Sequence, residues 1–399
     1  MRRKLPSSSG VLSMRLISIP ASLFGFGLVI AACSSGKSGP SGDGTTGGVA
    51  TATGGVTTGG ATAAQNHEDP LDGGASDAGD GGGLDGGSFN GSSGGLTVAG
   101  LDPNKPLYDS KQELISFAEV LNPGSLRKRW KDPTDLLDQT FGQGSVWFSN
   151  QGNQAISHPT GSRKACLDGL AGMVLQTPEQ KKVCGADYMV PIYKDGKADS
   201  AKTCIDVFEF PNRPCELPVV WIAPSRANEV CQIQGKRLCT QDEWVLACRG
   251  NPDGGDLQDY AYGSDLDLTA CHTRGQRSAN CDTNTVKSTW ATCATDTAPT
   301  GSFPRCRSRF GVFDQHGNVA EIMKRWDVEK ESTVTQLKGS AFFYAPISMR
   351  PNDPPNKAKY PDHCAHDPRW HVEKLEKAGH MMYHLGFRCC KDIGAAESK

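Results

Sequence analysis

Residues 237–244 read RLCTQDEW, and this stretch predicts the start of a central helix. Thr240 and Glu243 have the spacing of a capping box, in which each side chain accepts a hydrogen bond from the other residue's backbone N–H. Three apolar side chains follow on one side of that helix: Trp244, Ala247 and Cys248. The stretch therefore predicts a capped, amphipathic helix.

A second helix is predicted immediately before the first, over residues 225–234. Ala227, Val230 and Cys231 fall on one face at helical spacing, and Gly235 suits the left-handed conformation that ends a helix. Because only about five residues connect the two helices, we expect a compact helical pair.

The N-terminus has the pattern of an export signal, and we assign residues 1–33 to a lipoprotein signal peptide. Basic residues precede the apolar stretch 16–32, whose small residues lie directly before Cys33 as in a lipoprotein cleavage box. A membrane-spanning anchor is the alternative, but the stretch is shorter than the roughly 20 residues that usually span a bilayer. Met14 could equally be the start residue. Lipid on Cys33 would tether the chain to a bacterial cell envelope, and Ser34 favours the outer membrane over the inner one.

The cysteine content agrees with export. The chain has 15 cysteines. Without Cys33 an even number remains, all between Cys166 and Cys390, which suits a disulfide framework in an oxidising compartment. Zinc is the competing interpretation, but the spacings are long and contain no pair of Cys-x-x-Cys motifs.

Composition divides the rest of the chain. Residues 34–100 are rich in Gly, Ser, Thr, Ala and Asp, and such a segment buries too little apolar surface to offset the entropy of ordering. We therefore predict a disordered tether. In residues 101–399, basic and acidic residues are equal in number. This balance gives no electrostatic footprint for nucleic acid.

Residues 101–183 are predicted to form a leading segment with one helix. Ser110 and Glu113 match a capping box. Apolar residues follow at helical spacing: Leu114, Ala118 and Leu121. So short a segment has little core of its own, so we expect it to pack against the domain that follows.

From residue 184 onward, six short motifs occur in a defined order: 204–209, 235–244, 260–263, 301–304, 310–321 and 386–389. In this order they resemble the formylglycine-generating enzyme, or sulfatase-modifying factor, family. The resemblance covers residues 184–392. It implies an α+β domain, a C-type-lectin-like variant with much irregular structure and many disulfides.

The resemblance does not extend to the family's catalytic cysteines. Family oxidases bind copper through two cysteines with four residues between them, since thiolates suit this soft metal. The matching positions here are Phe343 and Ser348, and no cysteine lies between Cys306 and Cys364. We therefore expect no catalytic residues, and copper or iron is disfavoured as a cofactor.

The resemblance also implies a calcium site in the loop 314–321. In the family, the ion is bound by the side chains matching Asp314 and Glu321 and by the backbone carbonyls matching Gly317 and Val319. Carboxylate and carbonyl oxygens are the hard ligands that calcium selects. The alternative is a turn whose two acidic side chains only cap backbone groups.

One disulfide is implied by the same resemblance. Cys231 and Cys389 match positions that pair in family members, joining the first helix to the final strand. Cys390 must then pair elsewhere, and we suggest Cys239. The other pairings stay open.

Residues 350–386 contain a group of histidines that the family pattern does not explain: His363, His366, His371, His380 and His384, together with Tyr360, Cys364, Trp370 and Tyr383. Surface imidazoles of a loop are the simplest interpretation. A transition-metal site and a binding surface for a glycan or protein are the alternatives, although the spacings match no metal motif.

These features predict a cell-envelope lipoprotein whose domain at 184–392 resembles a sulfatase-modifying factor without the copper cysteines. We interpret this domain as a non-catalytic binding or assembly module with calcium as its cofactor. The alternative is an oxidoreductase of the same family, or of its nonheme iron branch, that acts on exported proteins or small thiols. The expected partners are the membrane, through the lipid anchor, and a glycan or protein ligand.

Overall fold

A computed structural model describes residues 94–107, 133–153, 157–194, 196–275, 297–348, 362–368 and 371–394. All of these residues lie in one unit of the chain, Asp80–Lys399. Among them, no helix combines the length and apolar character needed to cross a membrane. The predicted signal peptide with Cys33, and the helix expected around Leu114, lie outside the described residues.

The described residues form short helices and strands joined by long irregular connections. The α-helices, α1 to α7, are Pro133–Phe141, Val146–Ser149, Arg163–Gly169, Pro178–Cys184, Pro224–Ile233, Gln241–Arg249 and Tyr344–Ser348. The strands, β1 to β7, are Met189–Ile192, Thr203–Asp206, Arg237–Leu238, Ala320–Asp327, Ser332–Lys338, Leu385–Phe387 and Cys389–Asp392. Two short 3-10 helices are Ala198–Ser200 and Leu375–Lys377.

The predicted helical pair is confirmed as α5 and α6. Gly235 follows α5 with a φ of 67°, a left-handed conformation that glycine adopts without steric cost. At the start of α6, the Thr240 hydroxyl accepts from the Glu243 N–H at 3.3 Å, and the Thr240 N–H donates to Glu243 Oε2 at 2.8 Å. The capping box is therefore present as the sequence predicts.

Two small sheets divide the strands between them. One has the order β1-β2-β7-β3, with all neighbours antiparallel. The other has the order β5-β4-β6, in which β4 is antiparallel to β5 and parallel to β6. Because β6 ends at Phe387 and β7 begins at Cys389, the chain passes from one sheet to the other at Arg388.

The leading segment shares the core of the domain that follows it. Leu136 and Phe141 of α1 pack in the apolar cluster that contains Phe387 of β6. Leu167 of α3 packs in a second cluster together with Trp244 of α6. Segment and domain are therefore joined by apolar burial, the main favourable contribution to folding.

The structure corrects two predictions about the leading segment and the tether. The leading segment contains α1 to α4 rather than one helix. These helices have four to nine residues, too few to show a periodic apolar pattern. The end of the predicted tether, drawn at residue 100, is also wrong, since Leu96 pairs with Gln176 and Val98 is buried. These two apolar side chains interrupt the polar composition and supply a surface to bury.

Disulfides tie the irregular segments together. Cys231 is bonded to Cys389 and Cys239 to Cys390, the two pairings suggested from the sequence. These bridges link β7 to α5 and to the connection between β3 and α6. The other described bridges are Cys166–Cys215, Cys184–Cys204, Cys248–Cys364 and Cys271–Cys306. Cys281 and Cys293 lie outside the described residues.

Glu243 connects the start of α6 to both neighbouring strands. It accepts two hydrogen bonds from Arg237 of β3, at 2.6 and 2.8 Å, and one from the Thr203 hydroxyl of β2 at 2.9 Å. Burial alone would raise the pKa of Glu243, but the hydrogen bonds and charge of Arg237, with the bonds from Thr240 and Thr203, outweigh burial and lower the pKa to about 2.

The substitution Glu243→Gln is expected to lower the free energy of unfolding by about 2 kcal/mol at pH 7. Since the pKa in the folded state lies below its ordinary value of 4.5, the carboxylate stabilises the fold above that pH and loses its contribution as the pH falls through about 2. Guanidinium denaturation from pH 7 down to pH 2, with disulfides intact, should show the difference between variant and parent shrinking. Glu179→Gln, in the exposed first turn of α4, is the matched control. A pH-independent loss for Glu243→Gln would contradict this account.

Candidate functional site

Arg388 lies at the centre of the site, where the chain leaves one sheet for the other. Its side chain is fully buried. Nε and Nη2 donate to the two carboxylate oxygens of Glu321, each at 2.6 Å. Nη1 donates to the carbonyl oxygen of Asp206 at 3.1 Å, and Nη2 to that of Phe313 at 2.8 Å. One guanidinium therefore joins β2, β4 and the loop before β4.

Three buried carboxylates surround this guanidinium. Glu321 also accepts from the indole N–H of Trp244 at 3.1 Å. Glu209 accepts from the Val319 N–H at 3.1 Å, and Asp314 accepts from the Gly301 N–H at 2.7 Å.

The raised pKa values of two of these carboxyl groups indicate that Arg388 alone does not balance the negative charge of the cluster. Burial raises the pKa of Glu209 well above its ordinary value, and the neighbouring charges of Asp314 and Glu321 raise it further. Burial also raises the pKa of Asp314, to about 7. Arg388 lowers both values but does not compensate for burial and mutual repulsion.

The loop that carries the predicted calcium ligands contains three residues with positive φ: Asp314, Gly317 and Asn318. Asp314 has a φ of 59° and Gly317 a φ of 71°. A Cβ at Gly317 would lie 2.3 Å from the carbonyl oxygen of His272, so only glycine fits there. These turns place the whole loop inside the protein, where Gly317, Val319 and Glu321 are all buried.

The donor set of this loop fits a hard cation. The carbonyl oxygens of Gly317 and Val319 accept no hydrogen bond from the backbone N–H groups of described residues outside the helices and strands. Buried carbonyls normally have a partner, so these two oxygens are available as ligands. The three carboxylates of the described cluster do not by themselves bring ligand atoms within 4.8 Å of one another. A cation bound here would therefore need the carbonyls as well, and would share Glu321 with Arg388.

The two positions matched to the copper cysteines are part of the packed interior. The ring of Phe343 lies 5.0 Å from that of Phe342, 5.6 Å from Tyr383 and 5.1 Å from His384. Ser348 ends α7 and is 1% exposed. All described cysteines are in disulfides, so the described part of the chain offers no thiol at these positions.

One buried constellation was missed by the sequence analysis. His316 Nε2 lies 3.4 Å from the sulfur of Cys248 and 3.7 Å from that of Cys364, and it accepts from the Ala261 N–H at 3.1 Å. The two sulfurs are bonded to each other, so they offer no thiolate to a metal in this state. No local sequence pattern indicates this group, because the three residues lie far apart in the chain.

The histidines of the C-terminal segment do not converge on one point. The rings of His371 and His380 are stacked 3.9 Å apart, and those of His363 and His366 lie 5.8 Å apart. Within the described residues, neither pair belongs to a group of three potential metal ligands. Tyr360 and Trp370 lie outside the described residues.

Comparison with known proteins gives a family match. A sequence model described as "Sulfatase-modifying factor enzyme 1-like domain" matches residues 183–393, just over half of the chain. Among curated proteins, none matches this chain.

Solved structures give only remote similarities. "Crystal Structure of CarF" is 14% identical, with a TM-score of 0.31, over 51% of this chain and 93% of that one. "Major Tropism Determinant P3c Variant" is 11% identical, with a TM-score of 0.25, over 52% of each chain. This chain thus spans about half the length of the second protein. At these scores neither similarity carries an argument about function.

The substitution Arg388→Met is expected to lower the free energy of unfolding by about 3 to 5 kcal/mol, because it leaves Glu321 buried without its cation. The double variant Glu321→Gln with Arg388→Met should recover most of this loss, since it removes both charges and keeps an acceptor for Trp244. Guanidinium denaturation in the presence of a chelator measures both. Arg305→Met, at an exposed arginine, is the control. A double variant as unstable as the single one would contradict the assignment of the loss to unpaired charge.

Proposed function

Because residues 183–393 match its model over more than half of the chain, the protein belongs to the sulfatase-modifying factor enzyme 1-like family, and we propose that its domain is a non-catalytic binding or assembly module. The observation that carries this proposal is the packing of Phe343 among aromatic rings at a position matched to a copper cysteine. Copper chemistry of this family type needs a pair of thiolates. A buried phenyl ring provides no ligand.

The disulfides support the same interpretation. Cys248 and Cys364 are bonded to each other, although they lie beside His316 in an arrangement that could hold a metal if the sulfurs were thiolates. Among the cysteines of the domain, Cys281 and Cys293 are not part of a described disulfide, and both lie outside the described residues. A copper site built from thiolates would therefore depend on those two cysteines, whereas the histidines of the C-terminal segment are the other candidate ligands for the oxidoreductase alternative.

We further propose that the fold is the C-type-lectin-like variant implied by the family resemblance, and that its ligand is a glycan or a protein. The segment with His371, which is exposed, and His380, which is partly exposed, offers imidazoles for such a contact. In this proposal the module is held at the cell envelope by lipid on Cys33, preferentially at the outer membrane.

An oxidation assay tests the functional proposal. The full-length protein, supplied with copper(I) and oxygen, should convert no cysteine of a model peptide to aldehyde beyond a protein-free copper control. Mass spectrometry of the peptide detects the product. Turnover that disappears in a Cys281→Ser, Cys293→Ser variant would establish the oxidoreductase instead.

We also propose that the loop with Asp314, Gly317, Val319 and Glu321 binds calcium. Two observations support this proposal: buried carboxylate exceeds the positive charge of Arg388, and the carbonyls of Gly317 and Val319 accept no backbone hydrogen bond from described residues outside the helices and strands. Carboxylate and carbonyl oxygens are typical calcium ligands. The ion would balance the negative charge of the buried carboxylates, and its role would be structural.

Calcium at a hundredfold excess over its dissociation constant is expected to raise the free energy of unfolding of the chelated protein by about 2.7 kcal/mol. Thermal unfolding with and without calcium measures this effect. Asp314→Asn should abolish most of the response, because it removes one of the two ligand carboxylates. Asp256→Asn, on an exposed loop, should respond like the parent protein. An unchanged response in Asp314→Asn would exclude this loop as the site.

A further inference from the structure

A cleft of about 620 Å³ opens between the start of α4, strand β1 and the segment 307–311. Its lining includes none of the proposed calcium ligands and no histidine of the C-terminal segment. Its volume lies in the range of small-molecule sites. It is therefore a second candidate site, independent of the one described above.

Arg307 gives this cleft its chemical character. Its Nη2 donates to the carbonyl oxygen of Val174 at 3.2 Å, and its guanidinium carbon lies 5.2 Å from the ring centre of Phe313. Its Nε is buried and has no hydrogen-bond partner among the described residues. Burial lowers the pKa of Arg307.

The buried arginines among the described residues, Arg163 and Arg388, have carboxylate partners. Arg163 lies 2.7 Å from Glu216, and Arg388 lies 2.6 Å from Glu321. For Arg307, no ion pair with a described carboxylate is present within 4.0 Å. Arg307 is partly exposed, and removing part of a guanidinium from water without an anion beside it costs free energy. Arg307 lines the cleft and its side chain is partly exposed, so its terminal N–H groups can donate to an anion that enters the cleft.

The other residues that line the cleft indicate what kind of ligand would fit beside Arg307. Its apolar surface includes Val190 and the edge-to-face pair of Tyr193 and Phe310, whose ring centres lie 5.3 Å apart. Arg309 adds a second guanidinium, and Asp253 is the one carboxylate among the lining residues. Two positive groups against one negative group favour an anion. The apolar walls and Asp253 disfavour a multiply charged, strongly hydrated one.

We propose that this cleft binds a small organic carboxylate with an apolar body, whose carboxylate is held by Arg307 and whose body packs against Tyr193 and Phe310. A guanidinium matches the planar geometry of a carboxylate. The aromatic pair and Val190 provide the dry surface for the body of the ligand.

Binding of 3-phenylpropanoate and octanoate to the full-length protein tests this proposal, with their neutral amides as matched probes. Titration calorimetry should show saturable binding of at least one acid, at least tenfold tighter than its amide. In Arg307→Met the acid should bind only as tightly as the amide. Arg305→Gln, at an exposed arginine outside the cleft, should leave both affinities unchanged.

Val174→Glu keeps the test independent of whether Arg307→Met folds. Val174 is 47% exposed, so the substitution is compatible with folding, and it brings a competing carboxylate to the rim beside Arg307. It should weaken acid binding at least tenfold and leave amide binding unchanged. The proposal is overturned if neither acid saturates, if the amides bind as tightly as the acids, or if inorganic phosphate displaces the acids at lower concentration than they require themselves.

Discussion

The buried ion pair between Arg388 and Glu321 is the constraint on which the rest of the site depends. Arg388 occupies the single position between two strands of different sheets, so its side chain faces the interior that both sheets enclose. Its contacts with Glu321 and with the carbonyls of Asp206 and Phe313 fix the spacing of β2, β4 and the loop before β4. The surrounding sheets are short, and a fold of this kind gains order from such polar contacts and from its disulfides.

The ion pair between Arg388 and Glu321 does not balance all of the buried negative charge around it. Glu209, Asp314 and Glu321 are all buried near one guanidinium, and burial raises the pKa of the first two. Burying carboxylate without enough positive charge costs free energy. A calcium ion in the loop would balance that charge, which is why we connect the stability of the fold to a metal whose role is not catalytic. At one of the positions matched to a copper cysteine, the ring of Phe343 packs against that of Phe342 and provides no ligand atom.

The parts of this fold that could be predicted from the sequence are those indicated by residues close together in the chain. The capping box of Thr240 and Glu243 and the terminal Gly235 gave the helical pair, since each acts within a few residues. The short helices α1 to α4 were not predicted, because a helix of one or two turns gives no periodicity. The place of Leu96 in the fold was also missed, since its pairing with Gln176 depends on a segment far along the chain.

The candidate sites differ in the same way. The calcium loop is one continuous stretch and could be named from the family resemblance, whereas the groups around His316 and Arg307 are assembled from distant segments. We propose that the domain is a calcium-stabilised module without redox metal. Elemental analysis by plasma mass spectrometry of the full-length protein, purified without chelators, tests it most directly. The account predicts about one calcium per chain and copper and iron far below stoichiometry, whereas stoichiometric copper or iron would contradict it.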